Sequence, residues 1–317
     1  MTLEHPASYK FAGCFHEGHM TMTIEQVVET IPSWSGRRVE VSPVGGGLTN
    51  TNYRVEIDGR PYFVRIPGAS TELLAVDRAN EIYNARAASE TGVAPKLIHV
   101  LPDDNVMVFE FIPGETMSSD GLQASGMPGR IAAALRRLHA SPRFLRDFDM
   151  FRLVETYLAT AEQHSVQIPE DYRSHLPAVE EIEAAVRRHP RPTVPCHNDL
   201  LAENYIDDGR QLWLIDFEYS GNNDPCFELG NTCQELQYAP SQAAELCRAY
   251  FGEATASDLA RMHLFALMSD VGWTLWGAIQ AKISRLDFDF WEYAMTRWSR
   301  ARGILHGPDL VEWLKDA

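Results

Sequence analysis

Two short segments carry side chains whose types and spacing suit joint chemistry: His197-Asn198-Asp199-Leu200-Leu201-Ala202-Glu203-Asn204 and Leu214-Ile215-Asp216-Phe217-Glu218. They supply an Asp, an Asn five residues later, and a second Asp twelve residues after that. An isolated loop Asp is usually the start of an Asx turn. Three oxygen-bearing side chains at this spacing point instead to phosphoryl transfer. That reaction needs a group to accept or orient a hydroxyl proton, and hard oxygen ligands to hold Mg²⁺ on phosphate. Asp199 is then the candidate base, and Asn204 and Asp216 are the candidate metal ligands. Asp216 follows the apolar run Leu212–Ile215, which would hold its carboxylate rigidly. Glu218 is a candidate second metal ligand, direct or through water; its plainer reading is a surface acid.

Phosphates also need a cation. Arg65 lies in the strand-like segment Pro61–Ile66, and Glu81 on the following helix is its expected partner. The turn Gly45–Asn50 is rich in glycine, so Gly46, Gly47, Thr49 and Asn50 are candidates to approach phosphate through backbone N–H groups. Glu110 to Ile112 would present backbone groups to adenine at a hinge. Trp273 and Trp276 lie three apart, with Tyr293 seventeen residues further on. Aromatics at helical spacing are usually core; the sharper alternative is a box that holds an ammonium by cation–π attraction. Cys196 and His197 do not read as a nucleophile and its base, because neighbours on an extended segment point to opposite faces.

The elements that must position these residues fall into two regions. After a helix-like stretch, Thr23–Ile31, strands are expected over Val39–Val44, Asn52–Ile57 and Pro61–Ile66, forming a β-meander with a glycine-rich first corner. A helix is expected over Leu73–Thr91, then strands over Leu97–Val100 and Asn105–Phe111. From Met127 onward the signals are mostly helical, over 128–140, 150–164, 171–188, 228–237, 240–252, 256–282 and 286–304. The chemistry-bearing stretch 195–217 interrupts them with short strands and a loop. The expected organisation is a leader over 1–22, a β-rich nucleotide-binding lobe over 23–112, and a helical catalytic and substrate-binding lobe over 113–317. Met20 or Met22 is a candidate natural start.

Composition sets outer bounds. The chain has 317 residues, 45% hydrophobic and 23% charged, as a folded protein should. Its net charge of −16 argues against a nucleic-acid partner, since no basic stripe exists to displace counterions. The five cysteines, an odd number without a C-x-x-C pair, read as free thiols in the cytoplasm. No apolar run is long enough to span a membrane, and residues 1–20 lack the apolar core of a signal peptide.

On these residues the chain resembles the choline/ethanolamine kinase family, a branch of the aminoglycoside-phosphotransferase-like and protein-kinase-like group. The matching segments are Gly46–Asn50, Phe63–Gly68, Phe111–Pro113, Cys196–Asn204, Ile215–Gly221, Glu228–Asn231 and Trp273–Tyr293. The resemblance covers roughly residues 40–300. It implies an α+β, protein-kinase-like two-lobe fold with the nucleotide in the cleft between lobes. It also implies Asp199 as base, Asn204 and Asp216 as metal ligands, and Tyr219, Glu235, Trp273, Trp276 and Tyr293 as the lining of an amino-alcohol pocket. His197-Asn198-Asp199 lacks the Arg found in protein kinases, and no A-P-E segment follows Glu218, so a small-molecule acceptor is expected. Leu200-Leu201 and Asp287–Phe290 are more similar to ethanolamine kinases than to choline kinases, which leaves the preferred amine open.

The expected function is ATP- and Mg²⁺-dependent phosphorylation of the hydroxyl of choline, ethanolamine or a close amino alcohol. One rival is a kinase of the same fold acting on an aminoglycoside, thiamine or a sugar alcohol. Another is a non-catalytic protein that binds nucleotide or amine. The oligomeric state stays open, a homodimer among the alternatives.

Overall fold

The computed structural model describes residues 22–45, 50–68 and 71–317. The expected leader lies outside them, apart from Met22. Helix α1 (Ile24–Thr30) starts at Thr23, whose hydroxyl and the Gln26 side chain form a capping box. Strands β1 (Val39–Val44), β2 (Asn50–Ile57) and β3 (Arg60–Pro67) form the expected meander. Helix α2 (Arg78–Ser89) follows, then β4 (Leu97–Leu101) and β5 (Val106–Glu110). The five strands make one antiparallel sheet in the order β1-β2-β3-β5-β4. Pro43 is accommodated because β1 is an edge strand. A small core of Ile24, Val27, Ile31 and Trp34 against Val55, Ile57, Val64, Ile66, Val106 and Val108 joins α1 to the sheet.

Beyond the sheet come β6 (Glu115–Thr116), α3 (Ser119–Leu122), α4 (Met127–His139), α5 (Met150–Gln163) and α6 (Leu176–Arg188). The chemistry-bearing stretch then supplies β7 (Val194–Cys196), β8 (Tyr205–Asp207), β9 (Leu212–Leu214) and β10 (Gly221–Asn223). They pair as β10-β7 and β6-β8-β9. Helices α7 (Pro225–Glu235), α8 (Pro240–Phe251), α9 (Ala256–Ile283), α10 (Phe290–Leu305) and α11 (Leu310–Asp316) complete the chain. Residues 258–280 of α9 are buried almost without interruption, as expected for a helix apolar all round at the centre of its lobe. Helices α5, α7, α10 and α11 pack against it. The result is an α+β fold of two lobes, one built on the sheet and one on the helices.

Three expected helices are corrected. The stretch 73–91 is not continuous: a 3-10 turn over Thr71–Leu74 ends at Ala75, whose φ is +59°, and α2 restarts where the Asp77 carboxylate caps Asn80 N at 3.1 Å. The stretch 171–188 divides into a 3-10 turn, Tyr172–His175, and α6, which carries Pro177 in its first turn. The helix expected from 286 begins at Phe290, where Asp289 caps Glu292 N at 2.8 Å.

Candidate active site

The loop after β7 is fixed through its backbone. Glu228, fully buried on α7, accepts from His197 N at 2.9 Å and Asn198 N at 2.8 Å. Asn231, one turn further along, accepts from Leu200 N at 2.9 Å. Asn198 itself sits at φ +68°, a region Asn tolerates better than most residues. Its side-chain amide donates to the Tyr219 carbonyl at 3.0 Å, tying the loop to the segment after Asp216.

His197 makes the second tie. Its Nε2 lies 2.7 Å from the Ile215 carbonyl, which can only accept, so Nε2 carries the proton. Its Nδ1 is then free to accept from Asp199 N at 3.4 Å. Burial lowers the pKa of this ring below the ordinary histidine value, consistent with the neutral tautomer. Asn204 closes the group. Its Nδ2 donates to the Asp199 carbonyl at 2.8 Å, and its own carbonyl accepts from Ile215 N at 3.0 Å. Asp199, Asn204 and Asp216 are thus brought together through two backbone carbonyls. Burial, with Glu235 and Asp216 nearby, pushes the Asp199 carboxyl well above its usual range. Asp216 sits at φ +70°, a left-handed conformation costly for most side chains.

Above Asp216 lies a charged cluster spanning the two lobes. Arg65, buried on β3, makes ion pairs with Glu81 at 3.0 Å, Asp216 at 2.7 Å and Glu218 at 2.8 Å. Arg78 pairs with Glu81 and Glu218, each at 2.7 Å. Asn50 donates to Glu218 at 2.7 Å and accepts from Arg78 at 3.2 Å. Burial alone would raise the Glu218 carboxyl, but Arg65, Arg78 and Asn50 hold it down at about 2. Burial would lower the Arg65 guanidinium; the carboxylates of Asp216, Glu81 and Glu218 keep it above its usual value. Carboxylate oxygens of Glu81, Asp216 and Glu218 lie within 4.8 Å of one another. Glu110 is exposed at the end of β5, and Ile112 is buried just beyond it. Gly46, Gly47 and Thr49 lie outside the described residues.

Tyr219, in the segment after Asp216, belongs to an aromatic cluster. Trp276 Nε1 donates to the Tyr219 hydroxyl at 2.7 Å, and the Tyr219 ring meets Trp273 edge-on at 4.9 Å. Tyr293, on α10, meets Trp276 at 5.6 Å. Trp273 Nε1 is buried with no hydrogen-bond partner among the described residues. Gly277 lets α9 and α10 close: a Cβ there would lie 2.8 Å from Tyr293 Cδ1 and 3.2 Å from the Phe290 carbonyl. Glu235 is beside this cluster, but its carboxylate makes a bidentate pair with Arg297 at 2.7 and 2.6 Å. The Arg297 guanidinium in turn lies over the Tyr293 ring, 4.3 Å from its centroid. The negative charge of Glu235 is therefore matched inside the protein, and one face of Tyr293 is already covered by a cation.

Sequence reasoning missed several participants. Arg78 was recognisable only as a helix residue three before Glu81, the spacing of neighbours on one helix face. Arg297 follows Tyr293 by four residues, the same kind of signal. Glu228 acts through the backbone of a segment 30 residues away, which no local pattern announces. Phe288, nearly half exposed, meets Phe290 at 4.8 Å and Tyr293 at 6.2 Å, at the outer edge of the cluster.

Comparison with known proteins agrees with this geometry. The phosphotransferase enzyme family matches residues 40–265. Ethanolamine kinase 2 of Rattus norvegicus is 30% identical, over 86% of this chain and 78% of its own length. The crystal structure of a choline/ethanolamine kinase family protein from Mesorhizobium loti superposes with a TM-score of 0.81 at 34% identity, covering 91% of this chain and 96% of that one. Choline kinase LicA from Streptococcus pneumoniae gives a TM-score of 0.74 at 25% identity, over 92% and 99% of the two chains. A LicA structure in complex with AMP gives 0.72 at 26% identity, over 94% and 99%. This chain belongs to the phosphotransferase enzyme family, among its choline and ethanolamine kinases.

Proposed function

We propose that this protein transfers the terminal phosphate of ATP to the hydroxyl of ethanolamine, choline or a close amino alcohol. The observation that carries the reading is the convergence of Asp199, Asn204 and Asp216 between the Arg65–Arg78 cluster and the aromatic cluster. The phosphate-binding side is the charged one. Arg65 is the cation for the phosphates, held by Glu81, with Gly46, Gly47, Thr49 and Asn50 as further phosphate contacts and the 110–112 backbone meeting adenine. The division into lobes near residue 112 belongs to the same proposal. The acceptor side is the aromatic one, where Tyr219, Trp273, Trp276 and Tyr293 line the amine site. Asp199 orients the acceptor hydroxyl and takes its proton as the new O–P bond forms.

The residues present fit Mg²⁺. Asp216 and Glu218 offer hard carboxylate oxygens close together. Asn204 uses its Nδ2 on the Asp199 carbonyl, which leaves Oδ1 as its ligand atom. Asn204 and Asp216, with Glu218 direct or through water, would hold Mg²⁺, which would supply neutralising charge for phosphate oxygens. What the protein itself contributes is position: a loop pinned by Glu228, Asn231 and His197 needs little rearrangement to react. Cytoplasmic placement, where ATP is made available, is part of this reading.

An aminoglycoside or sugar-alcohol acceptor is disfavoured by the same pocket. A polyhydroxylated ligand calls for several unpaired carboxylates and amides, whereas Glu235 and Asp270 are bound by Arg297 and Arg300. A coupled ADP-release assay across ethanolamine, choline, their partly methylated intermediates, thiamine and an aminoglycoside tests the reading. Turnover with an ethanolamine or choline series member at least about 10²-fold above the aminoglycoside is expected, the scale on which missing pocket contacts discriminate. Equal turnover on the aminoglycoside contradicts it.

A further inference from the structure

One cluster lies behind the phosphotransfer loop and touches it only where Glu228 accepts from the His197 and Asn198 N–H groups. His139 at the end of α4, Cys196 at the end of β7 and Glu228 on α7 converge from three separate elements. One ligating atom of each lies within 4.8 Å of the other two. His139 Nε2 is 3.7 Å from Cys196 Sγ and 3.9 Å from Glu228 Oε1. Both separations are long for a hydrogen bond to oxygen or a firm one to sulfur. They are close to the ligand–ligand edge of a tetrahedral zinc site, about 3.4–3.6 Å for its usual bond lengths.

We propose that His139, Cys196 and Glu228 form a site for one thiophilic divalent metal ion of the zinc class, lodged against the backbone of the catalytic loop.

The surroundings of the three atoms are those of a prepared site. His139 Nδ1 lies 2.6 Å from the Tyr250 hydroxyl, which fixes the ring and aims Nε2 at the thiol and the carboxylate. Glu228 is pinned in turn by the N–H groups of His197 and Asn198. The charges balance once the ion is bound: a thiolate and a carboxylate match a doubly charged cation, and the imidazole binds neutral, so the loaded cluster carries no net charge. On binding, the Cys196 thiol releases its proton to solvent and Sγ takes the metal, so affinity rises with pH. Three protein ligands leave a fourth position for water. The sulfur–nitrogen–oxygen set favours zinc-like ions over Mg²⁺, which separates this site from the all-oxygen cluster at Asp216. The inference does not depend on which alcohol is phosphorylated.

Co²⁺, titrated into the reduced, chelator-stripped full-length protein, is the probe. One equivalent should bind with a thiolate-to-cobalt charge-transfer band in the near ultraviolet, and Zn²⁺ should displace it. Cys196→Ser should abolish that band, while Cys233→Ser leaves it intact. Tyr250→Phe, which keeps all three ligands, should weaken Co²⁺ binding by about tenfold with the band position unchanged. Absence of the band in the parent protein, or a band that survives Cys196→Ser, overturns the proposal. Unaltered affinity in Tyr250→Phe also counts against it, since the prepared orientation of His139 would then be irrelevant.

Discussion

Asp199 is placed by its neighbours' backbone contacts more than by any partner of its own carboxylate. His197 is the residue on which that placement turns, because one ring touches both Ile215 and Asp199. The ring must stay neutral to donate through Nε2 and accept through Nδ1 together. Burial lowers its pKa in the folded chain, whereas in the unfolded chain it titrates near about 6.5. As pH falls through that value the unfolded state takes up the proton first. The stability owed to the neutral ring is therefore full above about pH 6.5 and is lost progressively below it. Urea unfolding of the parent and of His197→Gln between about pH 7.5 and 5 measures this difference. The parent should lose stability more steeply than the variant as pH drops; identical slopes would remove His197 from that role.

At the scale of elements, the crossing of α9 and α10 decides the shape of the aromatic cluster. Gly277→Ala would put a methyl 2.8 Å from Tyr293 Cδ1 and 3.1 Å from Ala294 Cβ, so Tyr293 has to move. The expected outcome is a destabilisation of about 1–3 kcal/mol. It should come with a severalfold rise in KM for the amine and little change in KM for ATP. Equal shifts in both constants would mean that the crossing supports the whole lobe rather than the amine site. Much of this architecture was legible in sequence. The alternating strands of the meander and the Asp199–Asn204–Asp216 spacing both depend on local patterns. The break at Ala75 was not legible, because Leu73, Leu74, Val76 and the residues beyond keep a helical pattern across a left-handed residue. Nor were the pairs Arg297–Glu235 and Arg78–Glu218, which join residues 62 and 140 positions apart. Such contacts exist only once the helices are packed. The inner face of α2 makes the same point: Asn80 and Asn84 are buried polar residues, satisfied by the Ser220 carbonyl of the other lobe.

For the whole molecule, α2 joins the helical lobe through apolar contacts, with Ala85, Ala87 and Ala88 in that lobe's core, and charges and amides bridge the cleft beside them. Arg65 and Asn50 reach from the sheet, and Arg78, Asn80 and Asn84 from α2, to Asp216, Glu218 and Ser220. Breaking such a buried pair from one side leaves an uncompensated charge. Arg78→Ala should therefore cost about 3 kcal/mol in urea unfolding, and a loss below about 1 kcal/mol would mean that Arg65 alone holds the cluster. In the proposed reaction, nucleotide and amine approach the 197–204 loop from opposite sides, which leaves Asp199 between them. The most direct measurement is turnover of Asp199→Asn beside its affinity for Mg-ATP. Turnover should fall by about 10²–10⁴-fold, while the Kd for Mg-ATP stays within about threefold, below 1 kcal/mol. Turnover within tenfold of the parent protein would contradict the assignment of Asp199, and with it the proposed mechanism.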